Sequence, residues 1–334
     1  MRIGDVSFHG SGLVRPECVL VAKDGSVFTA DFRGGVAALA ADGTHRLIRG
    51  ESRDLPEGLK PNGIAFDRDG SLLVAHLGAA EGGVFRLTRQ GRLSPLLREV
   101  DGVALPPTNY ATRDAEGRLW VSVSTRLVPR DRDWHPAAAS GFIVLMDDRG
   151  ARIVADGLGY ANECMPSPDG RFLYVNETYS AHLARFPLRA DGSLGPRERL
   201  HEFPDGAFPD GLAFDAEGQL WITAIVANRL LRFDPARGTM TTMLDGGDPA
   251  HVARIAAAWR AARLTPKDMA AAGASPLANV SSLAFAGPGR REAWLGCLLA
   301  DRVMFQEEIT GQKVDADVDR TFTNSIVDRA AGRR

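Results

Sequence analysis

Gly25, Gly70, Gly117, Gly170 and Gly218 recur along the chain at steps of 45, 47, 53 and 48 residues, each behind an Asp or Glu and ahead of an apolar segment. An acidic-Gly pair between apolar runs is a hairpin signal, because Gly accepts the positive φ that a tight turn needs. The flanking segments, such as "RLWVS", "RFLYVN" and "QLWIT", are rich in β-branched and aromatic residues and lack a helical period. A period near 45 with a hairpin in every copy marks a β-propeller, since helical repeats of that length would lack these turns. With a weaker sixth copy at "GRREAWLGCLLADRVMF", the expectation is an all-β, six-bladed β-propeller forming a single domain over residues 1–334.

Two segments break the period. Trp221 and Trp294 are 73 residues apart, and the excess lies at about 249–275, where Val252, Ile255, Ala256 and Trp259 follow helical spacing. A short helical insertion before the last blade is therefore expected, packed on the propeller flank, covering a pocket or forming an oligomer contact. The third blade is lengthened at about 126–141 by "RLVPRDRDWHPAAASG", whose Arg, Asp, Trp134 and His135 suit a lid loop over one mouth of the propeller.

Composition narrows the partners. A formal net charge of -2 with scattered Lys and Arg offers neither a basic stripe for nucleic acid nor a polybasic anchor for a membrane. The first residues lack the apolar core of a signal peptide, so a cytoplasmic protein is expected, as a monomer or homodimer. Cys18, Cys164 and Cys297 are odd in number and sit among apolar neighbours, which suits buried free thiols.

Seven residues before the acidic position of each turn stand Glu17, Asn62, Asn109, Asn162 and Asp210, and aligning "SSLAF" with "DGLAF" adds Ser281. Every one carries a side-chain oxygen, and each opens the innermost strand of its blade, so the six would encircle the mouth of the central channel. Turn-flanking Asn and Asp can simply hydrogen-bond neighbouring strands. Two carboxylates and three carboxamides in register, with no Lys or Arg in the set, point instead to a divalent cation, with Ca²⁺, Mg²⁺ or Mn²⁺ favoured by the all-oxygen donors and Zn²⁺ or Fe²⁺ open. Phe32, Arg33, His76, Arg126, Tyr179 and Ile225 lie at or beyond the innermost strands as candidate pocket walls. Of these His76, Arg126 and Tyr179, with Asn62 and Ser281 of the ring, are the expected substrate contacts. A salt bridge is the alternative role for Arg33 and Arg126, and a structural one for His76.

The stretches "RPECVL", "PTNYATRDAEGRLWVS", "YANECMPSPDGRFLYVNET" and "FPDGLAFDAEGQLWIT" resemble the senescence marker protein, gluconolactonase and luciferin-regenerating enzyme family, the regucalcins. The resemblance implies Glu17, Asn162 and Asp210 as ligands of one divalent cation, Asn109 on the substrate side, and Asp210 as general base. It implies hydrolysis of a lactone as the reaction. Three departures bear on the substrate: Glu163-Cys164 follows Asn162 where Gly-Leu is usual, Pro107 and Thr108 precede Asn109 where an Arg is common, and "TAIVANRLL" follows the fourth motif. They favour a lactone less polar than gluconolactone. Without a Gly-x-Ser-x-Gly elbow, a serine hydrolase is disfavoured. A related propeller enzyme, arylesterase-like or strictosidine-synthase-like, and a non-catalytic ligand-binding propeller are the alternatives.

Overall fold

The computed structural model describes residues 1–307 and 309, except 54 and 56. Six four-stranded antiparallel sheets follow one another around a centre, and in the first five the strands run outward in chain order. Their first strands are Val19–Val21, Pro61–Phe66, Thr108–Arg113, Ala161–Pro166, Ala207–Phe214 and Val280–Ala286, and each touches the next all the way round. The sixth sheet is closed differently: its outermost strand, Val6–His9, comes from the start of the chain and pairs with Val303–Gln306. The six-bladed propeller expected from the repeat is therefore present. Residues 310–334, part of the expected single domain, lie outside the described residues.

The repeat glycines do what their spacing implied. Gly25, Gly70, Gly117, Gly170 and Gly218 have φ between +72° and +85° in the turn between first and second strands. At Gly218 an added Cβ would meet nothing within 4 Å, so the backbone conformation, not space, requires glycine there. A further recurring device was not apparent from the period. In blades three and five a buried Asp five residues before the second strand takes the indole N–H of a fully buried Trp: Trp120 to Asp114 and Trp221 to Asp215, both at 2.8 Å. Each tryptophan thereby fills the space between sheets without leaving its one donor unpaired.

The insertion forms α1, Pro249–Arg260, and α2, Pro266–Met269. Asp248 caps α1, its carboxylate accepting from the backbone N–H of Ala250 and His251, and Pro249 at the first position suits the fixed φ of proline. Ile255, Ala256 and Trp259 are buried as their spacing predicted. Trp259 meets Phe208 at 5.5 Å and donates its indole N–H to the Tyr179 carbonyl at 3.0 Å, docking α1 beside the channel mouth. No helix among the described residues is long and apolar enough to cross a membrane. All three cysteines are buried free thiols.

Candidate active site

Each first strand of blades two to six has a break in its pairing register at the residue the repeat alignment singled out. The breaks fall between Pro61 and Ile64, Thr108 and Tyr110, Ala161 and Cys164, Pro209 and Leu212, and Val280 and Ser282. A bulge interrupts the in-out alternation of a strand and re-aims a side chain, which here frees Asn62, Asn109, Asn162 and Asp210 to face the axis. Glycine follows two of them for lack of room: a Cβ on Gly63 would lie 2.4 Å from the Tyr110 ring, and one on Gly211 would lie 2.5 Å from the Ser281 carbonyl. In blade four the corresponding residue is Glu163. Its carboxylate accepts the Leu212 backbone N–H at 2.8 Å, so it ties two inner strands together and does not line the cavity.

A cavity of about 280 Å³ opens at this mouth and is lined by Glu17, Asn62, Asn109, Asn162 and Asp210, with Tyr179 and Ile225 on its walls. Asn62 donates through Nδ2 to Glu17 Oε1 at 2.8 Å and to the Asn109 carbonyl at 3.1 Å. Asn162 donates to Thr178 Oγ1 at 3.0 Å, and that hydroxyl donates to the Pro209 carbonyl at 2.9 Å. These bonds use the amide N–H groups and leave oxygens toward the axis. Glu17 Oε2, Asn109 Oδ1, Asn162 Oδ1 and Asp210 Oδ1 are all buried with no hydrogen-bond donor. Leaving one such group unsatisfied costs about 1–3 kcal/mol, so four in one cavity call for a ligand that accepts oxygen lone pairs.

The charges say the same. Burial pushes the Glu17 carboxyl up to about 7, against the pull of Arg15 and Arg130. Burial first and repulsion from Glu17 second push Asp210 well above the ordinary carboxylate range. Two carboxylates and two amide oxygens are hard donors that fit a cation such as Ca²⁺, Mg²⁺ or Mn²⁺. Among the described residues no three His, Cys, Asp or Glu side chains converge, so an ion here would need the amide oxygens.

Three expected contacts face elsewhere. Arg126 chelates Asp156 at 2.7 and 3.0 Å and stacks over Phe142, because a carboxylate within reach captures an exposed guanidinium more readily than an open cavity does. His76 accepts the Lys60 backbone N–H at Nδ1 and packs edge-on to Phe85, and burial lowers its pKa to about 4, so it is a neutral structural group near pH 7. Ser281 donates to the Glu17 carbonyl at 2.7 Å and fixes the backbone beside the carboxylate without lining the cavity. Arg33 forms the alternative salt bridge, with Asp31. Phe32 lies under the Arg15 and Lys60 cations, and His135 sits 3.7 Å from Asp133.

The structure also adds residues. Arg15 enters the cavity from two residues before Glu17 and donates to Asn62 Oδ1 at 2.8 Å. The ring is thus not free of basic groups, as the aligned set suggested. Its backbone has φ +51°, and that turn re-aims the side chain in a way no strand periodicity encodes. The expected lid loop does reach the site: Arg130 and Trp134 line the cavity, with Trp134 against Tyr179 at 5.5 Å. Pro266, Met269 and Ala270, in and beside α2, line it as well, so the insertion covers the pocket as well as packing on the flank.

The family described as the SMP-30/gluconolactonase/LRE-like region matches residues 15–258. A 6-deoxy-6-sulfogluconolactonase of Pseudomonas putida is 32% identical over 201 residues, which is 57% of this chain; the chain spans 64% of that relative's length. Among solved structures, a gluconolactonase of Xanthomonas campestris superposes with a TM-score of 0.66 at 19% identity, covering 92% of this chain and 91% of the other. The calcium-binding protein regucalcin of Agrobacterium tumefaciens superposes with a TM-score of 0.64 at 18% identity, covering 91% and 96%. At these identities the two superpositions speak to the fold.

Proposed function

Since the chain belongs to the SMP-30/gluconolactonase/LRE-like family, we propose that it is a divalent-cation-dependent lactonase acting on a lactone less hydroxylated than gluconolactone. The observation that carries this reading is the set of four buried, donorless oxygens around two mutually repelling carboxylates. Glu17, Asn162 and Asp210 would hold the cation, with Asn109 beside them on the substrate side. When bound there, a divalent cation supplies Lewis acidity toward the lactone carbonyl and holds both carboxylates ionised.

The remaining work falls to the chain. Asp210 keeps one oxygen available to accept a proton from the attacking water as the carbonyl carbon becomes tetrahedral, and the same proton can then pass to the ring oxygen as the ester bond breaks. Asn62 is held by Arg15 and in turn holds Glu17 through its amide, so the carboxylate keeps one orientation. Tyr179, Ile225, Trp134 and Met269 form a largely apolar wall, which supports a less hydroxylated ring and limits bulk water around the reacting carbonyl. The related-enzyme and binding-propeller alternatives predict different chemistry at the same cavity.

Elemental analysis of protein purified without chelator, followed by a screen of aliphatic and sugar lactones with and without EDTA, tests the proposal. About one equivalent of divalent ion per chain is expected, with lactone hydrolysis lost on chelation and restored by the ion. Hydrolysis that persists in a metal-free preparation would remove the cation from the reading. Ion binding with no lactone turned over would favour a binding propeller.

A further inference from the structure

Arg15 and Arg130 reach the cavity from opposite origins, one from the turn before the first blade and one from the lid loop of the third. Neither makes an ion pair among the described residues, and Arg130 makes no hydrogen bond there either. Elsewhere the chain pairs its arginines readily: Arg113 with Asp67, Arg118 with Asp114, and Arg126 with Asp156. Arg89, Arg232 and Arg290 are likewise half-buried without an ion pair among the described residues, so what marks Arg15 and Arg130 is that both line one cavity, where their like charges repel each other.

Glu17 and Asp210 do not remove the difficulty once the site is loaded. A divalent cation balances both carboxylates, which leaves the two guanidinium charges uncompensated beside a wall of Tyr179, Trp134 and Ile225. A cavity partly screened from water does not keep two such charges without a partner. The planar guanidinium fork matches an oxyanion in geometry as well as charge. We propose that Arg15 and Arg130 bind an anionic substituent, a carboxylate or sulfonate, carried by the substrate. This rests on the lactonase reading for the identity of the rest of the molecule. The pair sets which lactones are accepted: a ring bearing an oxyanion is anchored with its carbonyl over the donorless oxygens, whereas a neutral ring lacks that anchor. The apolar wall and the charged pair are compatible, because one contacts the ring and the other its substituent.

The test uses calcium-loaded wild-type protein and Arg130→Gln, with Arg15→Gln as a second variant. Binding is read without turnover, by calorimetry with cyclopentanecarboxylate and with the uncharged cyclopentanecarboxamide. Turnover is read with the lactone of 2-hydroxyglutaric acid, which carries a free carboxylate, and with its neutral methyl ester. The expected results are carboxylate binding at least tenfold tighter than carboxamide binding, and a kcat/KM preference of at least tenfold for the charged lactone, most of it in KM. In Arg130→Gln both ratios should fall toward one while the calcium content stays at the wild-type level. Equal binding of carboxylate and carboxamide, or ratios unchanged in both variants, would overturn the anion site. If the carboxylate binds selectively but no lactone is opened, the lactonase reading fails and the anion site stands. If neutral and charged lactones are opened equally, the lactonase stands and the anion site fails.

Discussion

Asp210 Oδ1 is buried without a donor, and the carboxyl is pushed well above its usual range by burial and by Glu17. Burial and Glu17 thus oppose the ionised form that a base or a hard ligand needs, and a bound cation would favour that form. Asp210→Asn should lower kcat by at least about 10³-fold, the scale of a lost general base. The same change replaces a carboxyl whose ionised form burial and Glu17 both oppose, so the metal-free variant should melt at or above the wild-type temperature. A melt below wild type, or retained turnover, would remove Asp210 from the proposed role. Glu17 gives a pH prediction with a definite sign. Its folded pKa of about 7 lies above the unfolded value near 4.5, so the metal-free folded state holds a proton that the unfolded state has lost in that window. That contribution is stabilising below the unfolded value and is lost as pH rises through about 7. Cation binding must expel the proton, so calcium affinity should rise with pH and level off above about 7. Melting curves across that range with EDTA and with calcium check both: the EDTA curve should fall with pH and the calcium-induced gain should grow.

The elements that carry the site were legible to different degrees, and the reason is the range of the interaction that fixes each. The turns were readable because each is decided within four residues by a glycine at positive φ. Glu17, Asn62, Asn109, Asn162 and Asp210 were readable as a ring because one register repeats in every blade. The bulges that aim those side chains depend on how inner strands crowd at the axis, as Gly63 against Tyr110 and Gly211 against the Ser281 carbonyl show, and a single strand does not reveal its neighbour. Arg126 was misdirected for the same reason, since its partner Asp156 is 30 residues away across the blade. The helical insertion showed its buried face in sequence, but not that α2 would reach the cavity. That arrangement depends on Trp259, whose N–H is bonded to the Tyr179 carbonyl and whose ring packs on Phe208. Trp259→Phe should keep most of the packing and lose the hydrogen bond, costing about 1 kcal/mol, whereas Trp259→Ala should cost about 3–5 kcal/mol. If α1 holds the cavity wall in place, both variants should also raise KM, in the same order as their loss in thermal stability. KM unchanged in Trp259→Ala would limit the insertion to a flank decoration.

At the scale of the whole molecule, five blades are each contiguous in sequence and the sixth is not, and that asymmetry decides where the ring can open. Val6–His9 pairs with Val303–Gln306 over four registered positions, and Val6 is buried in the cluster with Leu295 and Met304. The repeat did not predict this strand, because "DVSFHG" carries no turn glycine of the periodic kind and its partner lies nearly 300 residues away. A strand supplied by the other end of the chain joins the first and last blades through hydrogen bonds, where the other blades are also joined by the continuous chain. Removing residues 1–10 should therefore cost roughly 3–5 kcal/mol, from several ladder hydrogen bonds and one buried Val, and leave Val303–Gln306 as an unpaired edge prone to association. The cation should oppose the opening, since Glu17 precedes the first blade's inner strand and Ser281 of the sixth blade holds its carbonyl at 2.7 Å. An ion bound to Glu17, Asn162 and Asp210 would link blades one, four and five across the centre. The truncated protein should thus gain more thermal stability from calcium than the full chain does, because the ion replaces part of the lost closure. Differential scanning calorimetry of both chains, each with EDTA and with calcium, reads this directly. An equal calcium gain in the two would mean that the ion and the closing strand stabilise independent parts of the ring.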